Sequence, residues 1–224
     1  MWCIPELTDE FIECMEDVLT LYEKPYDPVE PVVCLDERPT PLRSDVRDVR
    51  YRRDESRQRD SEYVRHGVAN VFGVVEPKAG RHFTRATRNR KGPAVAKMLQ
   101  RVADAYPKAK TIHLVVDNAS THSETSLIKT YGPTQGRALW RRFTVHYTPK
   151  HGSWLNQAEI ELSVYVRQCL GGQRIDTLQM LRRETTAWSR RANRNRLVID
   201  WKFTVQDARR KLRYRPLRTS RSEH

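Results

Sequence analysis

Three carboxylates, Asp36, Asp117 and Glu159, stand where a metal-dependent attack on a phosphodiester would need them. Asp36 closes the apolar run Val32-Val33-Cys34-Leu35, and Asp117 closes Ile112–Val116; each reads as a short buried strand that stops at an acid. Chemical groups collect at the carboxyl ends of such strands, where the core gives way to solvent. Glu159 falls in the first half of a helix expected from Trp154 to Leu170, which Leu155, Leu162 and Val166 can anchor to a sheet. A phosphodiester is anionic and repels hydroxide, so its cleavage is helped by divalent ions that activate the nucleophile and stabilise the leaving oxygen. Magnesium and manganese want carboxylate oxygens, and only a few, because they keep waters and take substrate phosphate. Against this, a single strand-end aspartate is usually a turn former and a helix acid is usually solvated. Spacing alone leaves both readings open.

The elements that would position the trio can be read in outline. Thr8 caps an amphipathic stretch, 8–22, with Phe11, Met15, Val18, Leu19 and Tyr22 on one face. Pro25, Pro28 and Pro31 then give an extended connector. The charged stretch 43–63 is expected to be irregular, 68–75 and 82–87 to be strands, and a helix to begin at Pro93. A helix is expected between Asn118 and Lys129, a loop around Gly132–Gly136, a strand at 143–147 and a last helix at 177–192. The basic run 209–218 reads as a flexible arm.

Composition narrows the partner. The 224 residues, 38% hydrophobic, suffice for one core with extensions and hardly for two domains. A net charge of +13 favours a polyanion, foremost nucleic acid. The charge is uneven: residues 1–30 carry nine acids and Lys24 as their only base, while arginines gather at 43–59, at 81–91 and beyond 182. No run is long and apolar enough to cross a membrane, and no secretion signal opens the chain. The four scattered cysteines look like reduced thiols, so a cytoplasmic protein working at the nucleoid is expected.

Three local words sharpen the reading. Val32-Val33-Cys34-Leu35-Asp36-Glu37, His113-Leu114-Val115-Val116-Asp117-Asn118-Ala119-Ser120-Thr121-His122 and Tyr147-Thr148-Pro149-Lys150-His151-Gly152-Ser153-Trp154-Leu155-Asn156-Gln157-Ala158-Glu159 occur in that order. They resemble the three acidic motifs of the DDE transposases of bacterial insertion sequences in the mariner-like superfamily, over roughly residues 1–205. The resemblance implies an α/β, ribonuclease-H-like fold, a mixed five-stranded sheet flanked by helices. Asp36 and Asp117 would lie on adjacent central strands and Glu159 on a following helix. It implies strand cleavage and strand transfer on double-stranded DNA, with Asp36, Asp117 and Glu159 holding Mg²⁺ or Mn²⁺, two ions in the working site. The expected layout is 1–30 as helix and connector, 31–205 as catalytic domain and 206–224 as basic tail.

Other residues have narrower expectations. Lys150 and His151 precede Glu159 in a loop and are placed to meet a phosphate, as are Arg209, Arg210 and Lys211 in the tail. Asn118 either orients Asp117 or caps a helix, and His122 either supports the site or is a structural histidine. Glu37 should point away from Asp36, and Glu161, about 200° round the helix from Glu159, should point away from the ligands. Trp154 reads as a core anchor. A helix-turn-helix that would read transposon ends has no counterpart, and α-helical 8–22 is too acidic for phosphates. End recognition is therefore expected to need a separate N-terminal polypeptide, and joining two ends to need a homodimer. A related ribonuclease-H-type nuclease, or a basic DNA-binding remnant without catalysis, remains the alternative.

Overall fold

Five-residue runs rich in branched and aromatic side chains, too short for helices, set one central strand and the edge strand beside it. Ile112–Val116 (β7) is buried throughout and Phe143–Tyr147 (β8) pairs with it in parallel, both at the predicted bounds. The computed structural model describes residues 7–47, 50–51, 57–58 and 61–215. Among them Val32–Asp45 (β1) and Tyr63–Glu76 (β4) form a long antiparallel ribbon, and residues 32–34 of β1 also pair in parallel with β7. Arg50–Tyr51 (β2) and Arg57–Gln58 (β3) make a separate two-residue ladder. Arg81–His82 (β5) and Arg85–Thr87 (β6) add to the outer side of β4. The mixed sheet thus runs β5-β4-β1-β7-β8 with β6 also on β4, six strands where five were expected.

Seven α-helices cover the sheet among the described residues. Asp9–Glu23 (α1) begins at Thr8, whose hydroxyl accepts from Phe11 N–H. Gly92–Ala105 (α2), Glu124–Tyr131 (α3) and Pro133–Trp140 (α4) lie on one face, over Val33, Leu35, Phe72, Val74, Leu114 and Val116. Gln157–Tyr165 (α5) and Leu178–Asn195 (α6) lie on the other with α1, and Val205–Leu212 (α7) packs Ala208 into the cluster that holds Phe11, Met15, Cys34 and Val115. No described helix is long and apolar enough to cross a membrane.

Several expectations are corrected. β1 does not stop at Asp36 but runs through Pro39 and Pro41. Beyond Cys34 it has no recorded β7 pairing and bonds to β4 on one side only, so it behaves as an edge strand there, where proline is tolerated. Part of 43–63 is therefore strand; residues 48–49, 52–56 and 59–60 lie outside the described ones. The first helix after Asn118 starts only at Glu124. Gly132 and Pro133 mark a boundary between helices and not a loop: Gly132 has φ 82° and Pro133 opens α4. The stretch 154–170 is split into a 3-10 turn at Ser153–Leu155, α5, and π-type turns at Val166–Leu170. Residues 209–212 of the supposed flexible arm belong to α7, which opens with a capping box from Thr204 and Asp207, because Ala208 and its neighbours find apolar cover on α1. The end of the arm, 216–224, lies outside the described residues.

Candidate active site

Alternation along the two central strands decides which way the aspartates face. Cys34 and Val115 point to the side of α1 and α5, and they are register partners. Asp36 and Asp117 each stand two residues further on, so both side chains emerge on that same face at one level. Val33, Leu35, Val116 and Leu114 take the opposite face and hold the strands down on α2 and α3.

Glu159 reaches this pair through two packing devices. Asn156 is 1% exposed; its Nδ2 donates to the Leu35 carbonyl at 2.8 Å and its Oδ1 caps α5 by accepting from Ala158 N–H at 3.1 Å. One side chain thus fixes the start of the helix to the residue before Asp36. The second device is Gly73, the ladder partner of Asp36. Leu162 of α5 fills the room its missing side chain leaves; a Cβ at 73 would fall 2.6 Å from Leu162 Cγ. Glu159, three residues earlier, lies on nearly the same side of α5. Gly73→Val should therefore push α5 off the sheet, costing about 1–3 kcal/mol and lowering any Glu159-dependent cleavage. A urea-unfolding midpoint equal to that of the parent would show that the close approach is unimportant.

Glu161 points elsewhere, as expected. It is buried, 2.9 Å from His82 Nε2, in a pocket shared with Trp188, whose ring meets His82 edge-on at 5.6 Å. Glu37 also turns away from Asp36, but not to the surface. His122, 2% exposed, bridges the Asp117 carboxylate at 2.7 Å through Nδ1 and Glu37 at 2.8 Å through Nε2. Burial works against charge on this ring, yet the hydrogen bonds from Asp117 and Glu37 outweigh it and push its pKa up to about 10. His122 is thus an imidazolium that holds the Asp117 carboxyl below the usual carboxylate range. Asp117 Oδ1 also accepts from Ala119 N–H, which leaves Oδ2 for the cleft.

Asp36 behaves oppositely. Burial, and then the neighbouring charges of Glu37, Asp117 and Glu159, raise its pKa to about 6, against a hydrogen bond from Glu37 N–H that lowers it. The three acids of the trio therefore share one electrostatic neighbourhood. Among the described residues no three Asp, Glu, His or Cys side chains close into a cage around one point. The folded pKa of Asp36 lies above its unfolded value of about 4, so the folded state holds the proton more tightly. Stability falls as pH rises from about 4 through 6. Without divalent ions, Asp36→Asn should stabilise the protein at pH 7.5 by about 1–3 kcal/mol and have little effect at pH 4. Equal urea shifts at both pH values would contradict this.

The remaining predicted residues divide. Asn118 neither caps α3, whose N-cap is Ser123, nor bonds Asp117; its Nδ2 donates to the Thr148 carbonyl at 2.7 Å and ties the end of β7 to the loop after β8. Lys150 and His151 are exposed and share with Asn118, Phe11 and Cys14 a groove of about 440 Å³; His151 sits at φ 62°. Trp154 packs edge-on against Phe203 at 5.7 Å, as an anchor should. Arg209 is not a free arm residue. Its guanidinium makes two 2.8 Å bonds to Glu16, and Arg210 pairs with Asp207, while Lys211 lies over the Phe203 ring at 5.9 Å. Sequence reasoning missed Asn156 and Gly73 as parts of the site; for Glu37 it left a surface or a supporting role open, and the bond to His122 is the supporting one. An Asn three residues before a helix acid is a capping signal that could have marked the first.

Residues 31–182 match the family model described as DDE superfamily endonuclease. No curated protein matches the sequence. Among solved structures, the fold is similar to that in the Mos1 transposase paired-end complex with left transposon end, with a TM-score of 0.56 at 13% identity, covering 88% of this chain and 62% of that one. The Mos1 strand transfer complex gives 0.57 at 14%, covering 88% and 60%. The Mos1 mariner paired end complex with Mn gives 0.55 at 13%, covering 88% and 62%. Identity this low speaks for the fold, a ribonuclease-H-like one, and the chain spans little more than three fifths of those transposase chains.

Proposed function

The chain belongs to the DDE superfamily endonucleases, and we propose that it serves as the catalytic domain of a DNA transposase from a mobile element of the bacterial insertion-sequence kind. Asp36, Asp117 and Glu159 are its metal-holding acids in this reading. The observation that carries it is geometric: Asp36 and Asp117 emerge at one level on one face of the sheet, and α5, which bears Glu159, is tied by Asn156 to the residue before Asp36. Their donor set fits a hard divalent ion: oxygens only, mutually repelling, with waters and substrate phosphate to complete the shell. Solved complexes of the similar Mos1 fold are described with Mn and with Mg, which supports the same choice here. Bound to the trio, two such ions supply the polarisation of the phosphodiester and a more acidic attacking water or 3′-hydroxyl.

The chain's own residues do the positioning. His122 holds one oxygen of Asp117 and leaves the other for the cleft. Asn156 sets the height of Glu159 above Asp36. Lys150 and His151 lie beside Asn118 on the β8 side, where an incoming phosphate meets positive charge. Arg210 and Lys211 stay exposed on α7 and can add to DNA binding, whereas Arg209 is held by Glu16. Double-stranded DNA is the proposed substrate, with a homodimer joining two ends. The test is nicking of supercoiled plasmid together with oligonucleotide strand transfer in Mg²⁺ or Mn²⁺. Cleavage without strand transfer would indicate a nuclease of the same fold, and the absence of both activities would refute the proposal.

A further inference from the structure

The outer edge of the sheet at β6 carries a second feature that the acid trio does not use. Between Arg85 and Ala103 the chain has no Asp or Glu, and it supplies Arg85, Arg88, Arg90, Lys91 and Lys97, all exposed. Arg182 of α6 crosses the edge to meet them, donating weakly to the Ala86 carbonyl at 3.4 Å. Arg85, Arg88, Lys97 and Arg182 line one groove of about 260 Å³, floored by Pro93, Ala94 and Met98 at the start of α2. Among the described residues none of these four cations has an ion-pair partner, whereas Arg174, Arg183, Arg209 and Arg210 all do. Four unpaired cations facing one groove repel one another, and a row of phosphates removes that repulsion.

The groove is also rigid and aimed. Asn89 braces its rim, accepting from Lys91 N–H through Oδ1 and from Thr87 Oγ1 through its carbonyl. Thr87 is the ladder partner of Asn70, which pairs with Pro39, so the end of β6 is level with β1 just beyond Asp36. Lys150 and His151 lie at the opposite, β8 side of the acids. We propose that this groove holds the sugar-phosphate backbone of a DNA duplex that crosses the acid cleft, with Arg85, Arg88, Lys97 and Arg182 contacting successive phosphates. The inference rests on the transposase reading for the identity of the polyanion.

The test compares R85Q/R88Q/K97Q/R182Q with a control of equal charge, K108Q/K129Q/R137Q/R141Q, which removes four exposed cations that do not line the groove. Binding of a random duplex of about 30 base pairs is followed by anisotropy over roughly 50–300 mM NaCl. Each lost phosphate contact lowers the slope of log K against log salt by about 0.9, so the groove variant should lose about 3.6 and the control less than 1. If the groove variant is poorly folded, R88Q/R182Q should lose about 1.5–2. A slope loss no larger than the control's overturns the proposal. Wild-type nicking in Mn²⁺ is scored separately: its absence sinks the transposase reading, whereas a wild type that nicks and a groove variant with an unchanged slope sink only the groove.

Discussion

Alanine at Asp36, Asp117 or Glu159, one at a time, is expected to reduce Mn²⁺-dependent plasmid nicking by about a thousandfold or more, roughly 4 kcal/mol of transition-state stabilisation. None of the three should unfold the protein. Asp36 and Glu159 carry like charges close together, so their loss relieves repulsion; the Asp117 variant frees His122, which keeps Glu37. Metal binding should fail in step: Mn²⁺ should raise the melting temperature of the parent and not of these variants. Glu161→Ala is the contrasting case. It removes the hydrogen-bond partner of the buried His82 and should cost about 1–3 kcal/mol of stability, while the molecules that remain folded keep most of their cleavage rate. An inactive, folded Glu161→Ala beside an active Glu159→Ala would show that the wrong acid on α5 has been assigned.

Asn156→Ala should be the most damaging single change that leaves every acid in place. It removes the α5 cap, worth about 1 kcal/mol, and strands the buried Leu35 carbonyl, worth about 1–3 kcal/mol. A total near 2–4 kcal/mol should appear in urea unfolding, against about 1 kcal/mol for the simpler cap lost in Thr8→Ala. Asn156→Asp keeps a capping oxygen but loses the amide donor, so it should fall between parent and alanine. Because Asn156 joins α5 to the residue before Asp36, nicking measured below the melting transition should also drop about tenfold. A stability loss with an unchanged rate would mean that Leu162 on Gly73 alone is enough to place Glu159.

What the amino-acid order determined by itself is local. β7 and β8 were legible to the residue, because five-residue runs rich in branched and aromatic side chains favour extended backbone. The α1 cap, the Pro93 start of α2 and the three acidic words were legible for the same reason: each is a short-range constraint of spacing or backbone geometry. Tertiary structure decided whatever depended on a partner far along the chain. Pro39 and Pro41 look like strand breakers until β4 is seen to bond β1 on one side only. The arginine-rich end looks like a loose arm until Glu16, 193 residues earlier, takes Arg209 and α1 covers Ala208. Glu37 looks like a solvated neighbour of Asp36 until His122 arrives from 85 residues away. Glu159 stands among acids only because Gly73 lets Leu162 down onto the sheet and Asn156 reaches Leu35. Charge and helix periodicity are properties of neighbours in sequence, whereas burial, pairing and repulsion are properties of neighbours in space, which only the folded chain brings together.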